Sequence, residues 1–320
     1  MPDLARAPRR DAASGVVAVV VTYEPEPDAV RALLDALAPQ VDHVVVVDNG
    51  SAPTLRAALE VATQGHGATL LALGENLGVA AAQNAGIANA RARGAAFVLL
   101  SDQDSLPAPD MVDRLLDGFA RAAAGSGGAD RRPAAVGPVT TDERNPGAAL
   151  LFSDHRWGPR RASLPADPAQ LVDVTFLIAS GCLVATSALD EVGAMNEAWF
   201  IDHIDLEWGL RARAAGFGLY GVPDAHLGHS LGDRTQRIPG RRRDVHIHSP
   251  RRNYYMARNT VLLIRSGLLH GAWRLGYAAW ITKYTVFYVL AVPPRRARAA
   301  LLARGLRDGL RGRTGRLDAA

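Results

Sequence analysis

The chain has 320 residues, 48% of them apolar and 21% charged, which excludes a disordered chain and supplies a core for one large or two small domains. A single cysteine, Cys182, excludes a disulfide framework and a cysteine-rich zinc module. The net charge of +4 hides a segregation: residues 1–233 carry 17 basic and 29 acidic side chains, residues 234–320 carry 19 and 3, nets of −12 and +16. A basic block of that kind suits anionic lipid headgroups, phosphorylated lipids or nucleic acid, with a solvated tail as the plain alternative.

The first 15 residues hold no apolar stretch of the signal-peptide kind. Residues 1–14 are therefore expected to be a flexible tail, and the location cytoplasmic. Residues 16–22 are apolar and mostly β-branched, too short for a membrane span, and predict a buried parallel strand. Val30, Leu33, Leu34 and Leu37 lie at helical spacing within 28–38. Val44 to Val47 predicts a second strand, ending in Asp48-Asn49-Gly50-Ser51, with a helix over 53–63 behind it. A third strand follows over Leu70 to Leu73, then an alanine-rich helix over 78–93. A fourth strand, Phe97 to Leu100, ends in Ser101-Asp102-Gln103-Asp104. Strand and helix alternate, so the fold class is α/β, a mostly parallel sheet flanked by helices.

Beyond a glycine-rich loop at 125–133, Val136 to Val139 reads as a strand and 140–172 as turn-rich chain. Val174 to Ile178 and Cys182 to Ala185 are short apolar runs around Ser180-Gly181. A helix over 203–215 is stopped by Gly216. The arginine- and histidine-rich stretch 233–252 is expected to be a mobile loop without ligand. Helices over 254–266 and 268–291 precede a basic helix or frayed tail over 295–317. The expected division is a main domain over 15–265, with halves 15–105 and 106–232 and the loop 233–252, followed by basic amphipathic helices over 266–320.

Ligands of open α/β sheets bind beyond the carboxyl ends of the strands, where Asp48, Asp102 and Asp104 sit. The first strand leads into Tyr23-Glu24-Pro25 rather than a glycine-rich dinucleotide turn, and no P-loop occurs. Asp102 and Asp104, one residue apart, can share a hard divalent cation such as Mg²⁺ or Mn²⁺, which prefers oxygen and bridges to phosphates. The alternative is a solvated acidic turn before a helix start at Pro107.

An ordered set of motifs runs through Val21-Thr22-Tyr23, Val47-Asp48-Asn49-Gly50-Ser51, the segment Asn76 to Gly86, and Asp102-Gln103-Asp104-Ser105. It continues through Ser180-Gly181, the block Phe200-Ile201-Asp202-His203-Ile204-Asp205-Leu206-Glu207-Trp208, and His229-Ser230. Over about residues 15–265 the chain resembles family 2 of the inverting glycosyltransferases, which have the GT-A fold. Within that family it looks most like bacterial L-rhamnosyltransferases.

The resemblance implies a nucleotide-binding half over 15–105 and an acceptor half over 106–232. Backbone groups of Thr22 and Tyr23 would line the base pocket. Asp48 would accept from a pyrimidine imide N–H or nearby donor hydroxyls, an Asx turn being the structural alternative. Asn76, Gly78 and Asn84 would meet the donor nucleotide, although an alanine-rich helix packed on the sheet reads the same way. Asp102 would face ribose and metal and Asp104 would bind the metal directly, with His229 as third ligand and His226 as its nearest competitor. Inverting transfer needs one base on the face opposite the leaving group, and Asp205 matches that position. Asp202 would cap the helix or contact acceptor hydroxyls, Glu207 would orient Asp205 or the acceptor, and Trp208 would be core or a sugar platform.

The implied activity moves L-rhamnose from dTDP-L-rhamnose to a cell-surface glycan or polyprenyl-linked saccharide, assisted by Mg²⁺ or Mn²⁺. A UDP-sugar donor such as UDP-galactofuranose is the same-fold alternative. A sugar-nucleotide nucleotidyltransferase would need a glycine- and lysine-rich signature near the first strand, which Tyr23 to Pro27 does not offer. The acidic first part of the chain argues against nucleic-acid binding. Residues 268–292 carry Trp273, Tyr277, Trp280, Tyr284, Phe287 and Tyr288, interrupted by Arg274 and Lys283. That pattern predicts an interfacial helix at the inner face of an anionic membrane, or a homo-oligomer contact, rather than a span.

Overall fold

The structure is a computed structural model and describes residues 15–142, 150–229, 235–236 and 245–317. Its first half comprises β1 (Val16–Thr22), α1 (Pro27–Leu37), β2 (His43–Asp48), α2 (Pro53–Gly65), β3 (Thr69–Ala72), α3 (Val79–Ala92), β4 (Phe97–Asp102) and β5 (Ser105–Pro107). The middle holds α4 (Met111–Ala123), β6 (Pro133–Asp142), β7 (Phe152–Ser153), β8 (Arg160–Arg161), β9 (Val172–Asp173), β10 (Cys182–Ala185), α5 (Thr186–Val192) and α6 (Ile204–Ala214). β11 (Gly218–His229), β12 (Thr235–Gln236) and β13 (Val245–His246) lead into α7 (Pro250–Arg265), α8 (Gly271–Ala291) and α9 (Arg295–Leu310).

The main sheet runs β3-β2-β1-β4-β10-β6-β11-β5, with β9 on the flank of β11. β3, β2, β1 and β4 are parallel, and β10 turns the sheet by pairing antiparallel to both β4 and β6. β11 then runs parallel to β6 and antiparallel to β5. This is the α/β architecture that the alternation of runs predicts. β1 is buried on both faces, and its period of two divides the core. Val17 and Val19 pack with Ala80, Ala82, Ile87 and Ala90 of α3. Val16, Ala18 and Val20 pack instead with the Val30-Leu33-Leu34-Leu37 stripe of α1 and with Met111, Val112 and Leu115 of α4. The alanines of α3 thus serve helix–sheet packing.

One short apolar run takes no regular form, and one sequence expectation changes. Val174 to Ile178 forms no strand; Phe176 makes an isolated bridge to Phe152 and stacks on its ring at 5.1 Å. The run leaves the sheet to cover α6, where Phe176 lies against Gly209. Residues 250–252, placed in the mobile loop by the sequence, open α7, with Pro250 in the first turn and the Ser249 hydroxyl accepting from Arg252 N–H at 3.2 Å. Residues 1–14 and 237–244, expected to be flexible, lie outside the described residues.

The basic C-terminal block is only partly solvated. Ala257, Ile281, Tyr288, Val292 and Leu302 form a third apolar cluster among α7, α8 and α9. Arg298 is buried there, donating to Pro293 O at 3.1 Å, His248 O at 2.8 Å and the Asn253 side chain. Asp308, also buried, accepts from Tyr254 Oη at 3.1 Å and pairs with Arg313 at 3.3 Å. No helix among the described residues is long and apolar enough to cross a membrane.

Arg298→Leu should leave the buried Asn253 amide oxygen and two backbone carbonyls without this donor, a loss of about 2 kcal/mol. Thermal unfolding checks this; an unchanged Tm would mean that α9 contributes no stability through this contact.

Candidate active site

The carboxyl ends of β1, β2 and β4 open onto a cleft of about 680 Å³. Its floor is tied by local turns. Asp48 is buried and spends its carboxylate on Ser51, accepting from the backbone N–H at 3.2 Å and from the hydroxyl. The Ser51 hydroxyl in turn accepts from Glu24 N–H at 2.9 Å. Thr22 is fully buried, its hydroxyl donating to Val47 O. Tyr23 is exposed on the cleft, and its N–H donates to Gln103 Oε1 at 2.8 Å, joining the ends of β1 and β4.

Asn49 links β2 to the start of α3: it accepts from Leu77 N–H at 2.9 Å and donates to Asn76 Oδ1 at 3.3 Å. Asn76 Oδ1 also accepts from Gly78 N–H at 3.0 Å. Gly78 has φ +95°, and a Cβ there would stand 2.6 Å from Phe200 O. Only glycine lets this turn pass the loop that carries Phe200. The next residue, Val79, donates its N–H to that carbonyl at 2.8 Å.

Asp102 and Asp104 line the cleft at the end of β4. Asp102 Oδ2 accepts from the Ser180 hydroxyl at 2.5 Å, which aims the carboxylate. Two carboxylates that leave further positions to phosphate oxygens and water fit an oxygen-preferring Mg²⁺ or Mn²⁺. Among the described residues no group of three or more His, Cys, Asp or Glu gathers. His229 ends β11 opposite Ser105, but its side chain lies outside the described residues. His226 is exposed and does not line the cleft.

The loop before α6 is held in an unusual conformation. Phe200, Asp202 and His203 have φ of 65°, 68° and 63°, all positive; His203 is in the left-handed region, and Phe200, with ψ of −61°, centres a tight turn closed by Ile201 N–H donating to Trp199 O at 2.8 Å. Helix α7 holds them there. The Asn259 side-chain amide donates to Trp199 O at 2.9 Å, Ile201 O at 2.7 Å and Asp202 O at 3.1 Å. Arg258, fully buried, donates to Trp199 O at 2.8 Å. Arg252 pairs with Asp202 at 3.0 Å, and Thr260 meets His203 Nε2 at 2.9 Å. Asp202 therefore serves an ion pair, and His203 occupies the N-cap position of α6.

Asp205 follows in the first turn of α6. Burial, reinforced by the negative charges of Asp102 and Asp202, pushes its carboxyl up to about 7 against the opposing pull of the Ala179 N–H, which donates to Oδ2 at 3.1 Å. On its far side lies a second cavity of about 300 Å³, walled by Trp157, Phe176, His203, Tyr277 and Trp280. Asp205 lines both cavities.

Thr22, Asp48 and Asp202, which the sequence also places at the site, do not line the cleft. Three further residues so placed are not brought to it. Asn84 donates to Met195 O at 2.9 Å and Glu197 Oε1 at 2.7 Å. Glu207 forms a bidentate pair with Arg211 at 2.9 and 3.0 Å, and Arg211 donates onward to Val192 O and Ala194 O. Trp208 is buried and donates to Gly193 O at 2.9 Å. All three grip the segment 192–197 from behind. Sequence reasoning missed Asn49, Gln103 and Ser180, although each stands inside a recognised motif. It also missed Arg252, His248 and Asn259, which reach the site from α7 and the segment just before it, with no strand-end signal.

Residues 17–193 match the family described as Glycosyl transferase family 2. The chain is 33% identical over 255 residues to the dTDP-rhamnosyl transferase RfbF of Shigella flexneri, covering 79% of this chain and 80% of that one. It is 29% identical over 259 residues to the N-acetylglucosaminyl-diphospho-decaprenol L-rhamnosyltransferase of Mycobacterium tuberculosis, covering 72% and 81%. Among solved structures it is similar to S. aureus TarS, with a TM-score of 0.59 at 15% identity over 92% of this chain. It spans 48% of that TarS chain, about half its length, and the likeness speaks for the fold.

A carboxyl raised in the folded state destabilises the protein once it is ionised. The folded chain binds the extra proton between the ordinary carboxylate range and about pH 7, so stability falls as pH rises through that window. Asp205→Asn removes the penalty. Its Tm should equal that of wild type near pH 4 and exceed it by several degrees at pH 8, on a gain of about 2 kcal/mol after allowance for cleft water. A Tm at or below wild type at pH 8 would contradict the buried-charge assignment.

Proposed function

The chain belongs to glycosyl transferase family 2, and from that premise we propose that it transfers L-rhamnose from dTDP-L-rhamnose to a hydroxyl of a glycan or lipid-linked saccharide by a single inverting displacement. One observation carries this reading: Asp205 is common to the cleft at the strand ends and to the aromatic-walled cavity behind it. A donor in the first and an acceptor in the second would meet at one carboxylate.

The nucleoside lies over Tyr23 and Asn49 at the ends of β1 and β2, with the diphosphate toward Asp102 and Asp104. Those two aspartates would hold Mg²⁺ or Mn²⁺, which would neutralise the charge that develops on the leaving diphosphate. Ser180 keeps Asp102 aimed. Arg252 lines the cleft and adds a cationic side chain near the leaving group. Asp205 accepts the proton of the acceptor hydroxyl while the oxygen of that hydroxyl bonds the anomeric carbon from the face opposite the departing diphosphate, whose bond to that carbon breaks. A base near pH 7 is substantially ionised under working conditions yet still basic enough to take that proton. The rhamnosyl identity rests on the dTDP-rhamnosyl transferase relative, and the lipid-linked acceptor on the decaprenol-dependent one.

The same reading extends to location. Leu275, Val286 and Leu290 stand 65%, 51% and 66% exposed on the outer face of α8. Exposed Arg274 and Lys283 lie on the same helix, and exposed Arg295 and Arg296 follow it. An apolar strip among cations fits shallow, reversible binding to an anionic membrane, where each basic residue adds about 1 kcal/mol.

Nucleoside diphosphate release across a donor panel tests the activity. dTDP-L-rhamnose should be turned over with the highest kcat/KM, and Asp104→Ala should lose about 100-fold or more in metal-dependent turnover. Preference for a UDP-sugar would replace the donor, and full activity of Asp104→Ala would remove the metal assignment. Co-sedimentation with anionic vesicles tests the location. Wild type should pellet at low salt and be released at high salt, and Val286→Glu with Leu290→Glu should abolish pelleting. Equal pelleting of both proteins would overturn the α8 surface.

A further inference from the structure

Large aromatic side chains are normally covered, and an exposed pair sharing one groove marks a contact surface. Trp157 and Trp280 are 47% and 40% exposed and face the same cavity as Asp205. The groove is a built feature. The indole of Trp273 in α8 donates to His155 O at 2.7 Å and holds the segment carrying Trp157. Gly276 of the same helix lets that segment approach so closely that a Cβ would stand 2.0 Å from Trp157 O. The Arg156 guanidinium covers one part of the Trp157 ring at 4.9 Å. No arginine or lysine lines the cavity, so its walls suit an uncharged ligand.

His203 supplies a directional polar group. The Thr260 hydroxyl donates its single proton to Met256 O at 2.7 Å, so it accepts from His203 Nε2–H at 2.9 Å. That network assigns the Nε2–H tautomer. Burial holds the imidazolium down to about 4, so at neutral pH the ring is uncharged and Nδ1 carries a lone pair. No described residue hydrogen-bonds Nδ1, and the ring lines the groove beside Asp205.

We infer that this groove is a pyranose-binding subsite for the acceptor, in which Trp157 and Trp280 receive the apolar C–H face of a neutral sugar ring and His203 Nδ1 accepts one of its hydroxyl protons. The inference rests on the proposed function in taking the ring to be the acceptor. The groove then selects among acceptors: a ring must present a C–H face to the indoles and a hydroxyl to Nδ1 before another of its hydroxyls reaches Asp205.

The probes are methyl α-L-rhamnopyranoside, methyl N-acetyl-β-D-glucosaminide and n-dodecanol, tested on the full chain with and without dTDP. Tryptophan fluorescence and saturation-transfer NMR are the readouts. At least one glycoside should bind, with saturation transferred to its C–H face, and Trp280→Ala should weaken that binding about tenfold. Asn tolerates left-handed backbone and places an acceptor oxygen where Nδ1 stands, whereas Gln reproduces the Nε2 donor to Thr260. His203→Asn should therefore keep glycoside affinity within about threefold and His203→Gln lose about tenfold, where a purely structural role through Thr260 predicts the reverse order. No glycoside binding under either condition, unchanged affinity in Trp280→Ala, rescue by Gln rather than Asn, or dodecanol binding in place of the glycosides would each overturn the subsite. Donor turnover measured on the same preparation separates the two readings: turnover without glycoside binding sinks the subsite alone, and glycoside binding at the tryptophans without turnover of any donor sinks the transferase reading alone.

Discussion

A single side-chain amide holds the site together. Asn259, fully buried in the middle of α7, donates to the carbonyl groups of Trp199, Ile201 and Asp202 in a loop whose backbone would otherwise relax out of positive φ. Each non-glycine residue at positive φ costs about 1 kcal/mol or more, and Phe200, Asp202 and His203 are all held there. What the strain secures is position. The twist puts the Phe200 carbonyl against Val79 at the cleft floor and starts α6 with Asp205 facing the gap between two cavities. Arg258 and Arg252 brace the same loop, so part of the basic C-terminal block belongs to the site's scaffold.

The second constraint is electrostatic. Asp205 is packed among two other aspartates, and the one backbone N–H that it accepts does not offset its lost hydration. A carboxylate so placed weakens the fold at neutral pH and gains basicity. That exchange of stability for reactivity is the ordinary signature of a group positioned for chemistry, and it separates Asp205 from Glu207. Glu207, two residues later on the same helix, has two nitrogens of Arg211 on its carboxylate and works as a brace. The sequence set Asp202, Asp205 and Glu207 together around one helix start; the structure sends Asp202 to Arg252, Glu207 to Arg211 and Asp205 to the cleft.

The fold was legible where one physical rule acted alone. Continuous valine runs gave the parallel strands, and the stripe from Val30 to Leu37 gave α1 with its boundaries nearly right. Strand-end position pointed to Asp102 and Asp104 and the family resemblance to Asp205, and all three line the cleft. Reading failed where a side chain's partner lies far along the chain. Asn84 looked like a donor ligand at a helix start, yet its partners are Met195 and Glu197, 111 and 113 positions away. Asn259 sits in a helix of mixed character with nothing nearby to mark it, because its acceptors are 57 to 60 residues distant. The basic tail was read as a surface for anionic partners, with a solvated tail as the alternative, and charge counting cannot see that Arg298 is buried on carbonyl oxygens.

The central claim is that Asp205, raised by its surroundings, is the base shared by donor and acceptor. The pH dependence of kcat/KM for glycoside formation tests it most directly. The account predicts an ascending limb with a midpoint close to 7, as the carboxylate ionises, and loss of that limb with the residual activity of Asp205→Asn. A wild-type rate already flat from pH 5 upward, or the same limb in Asp205→Asn, would contradict it.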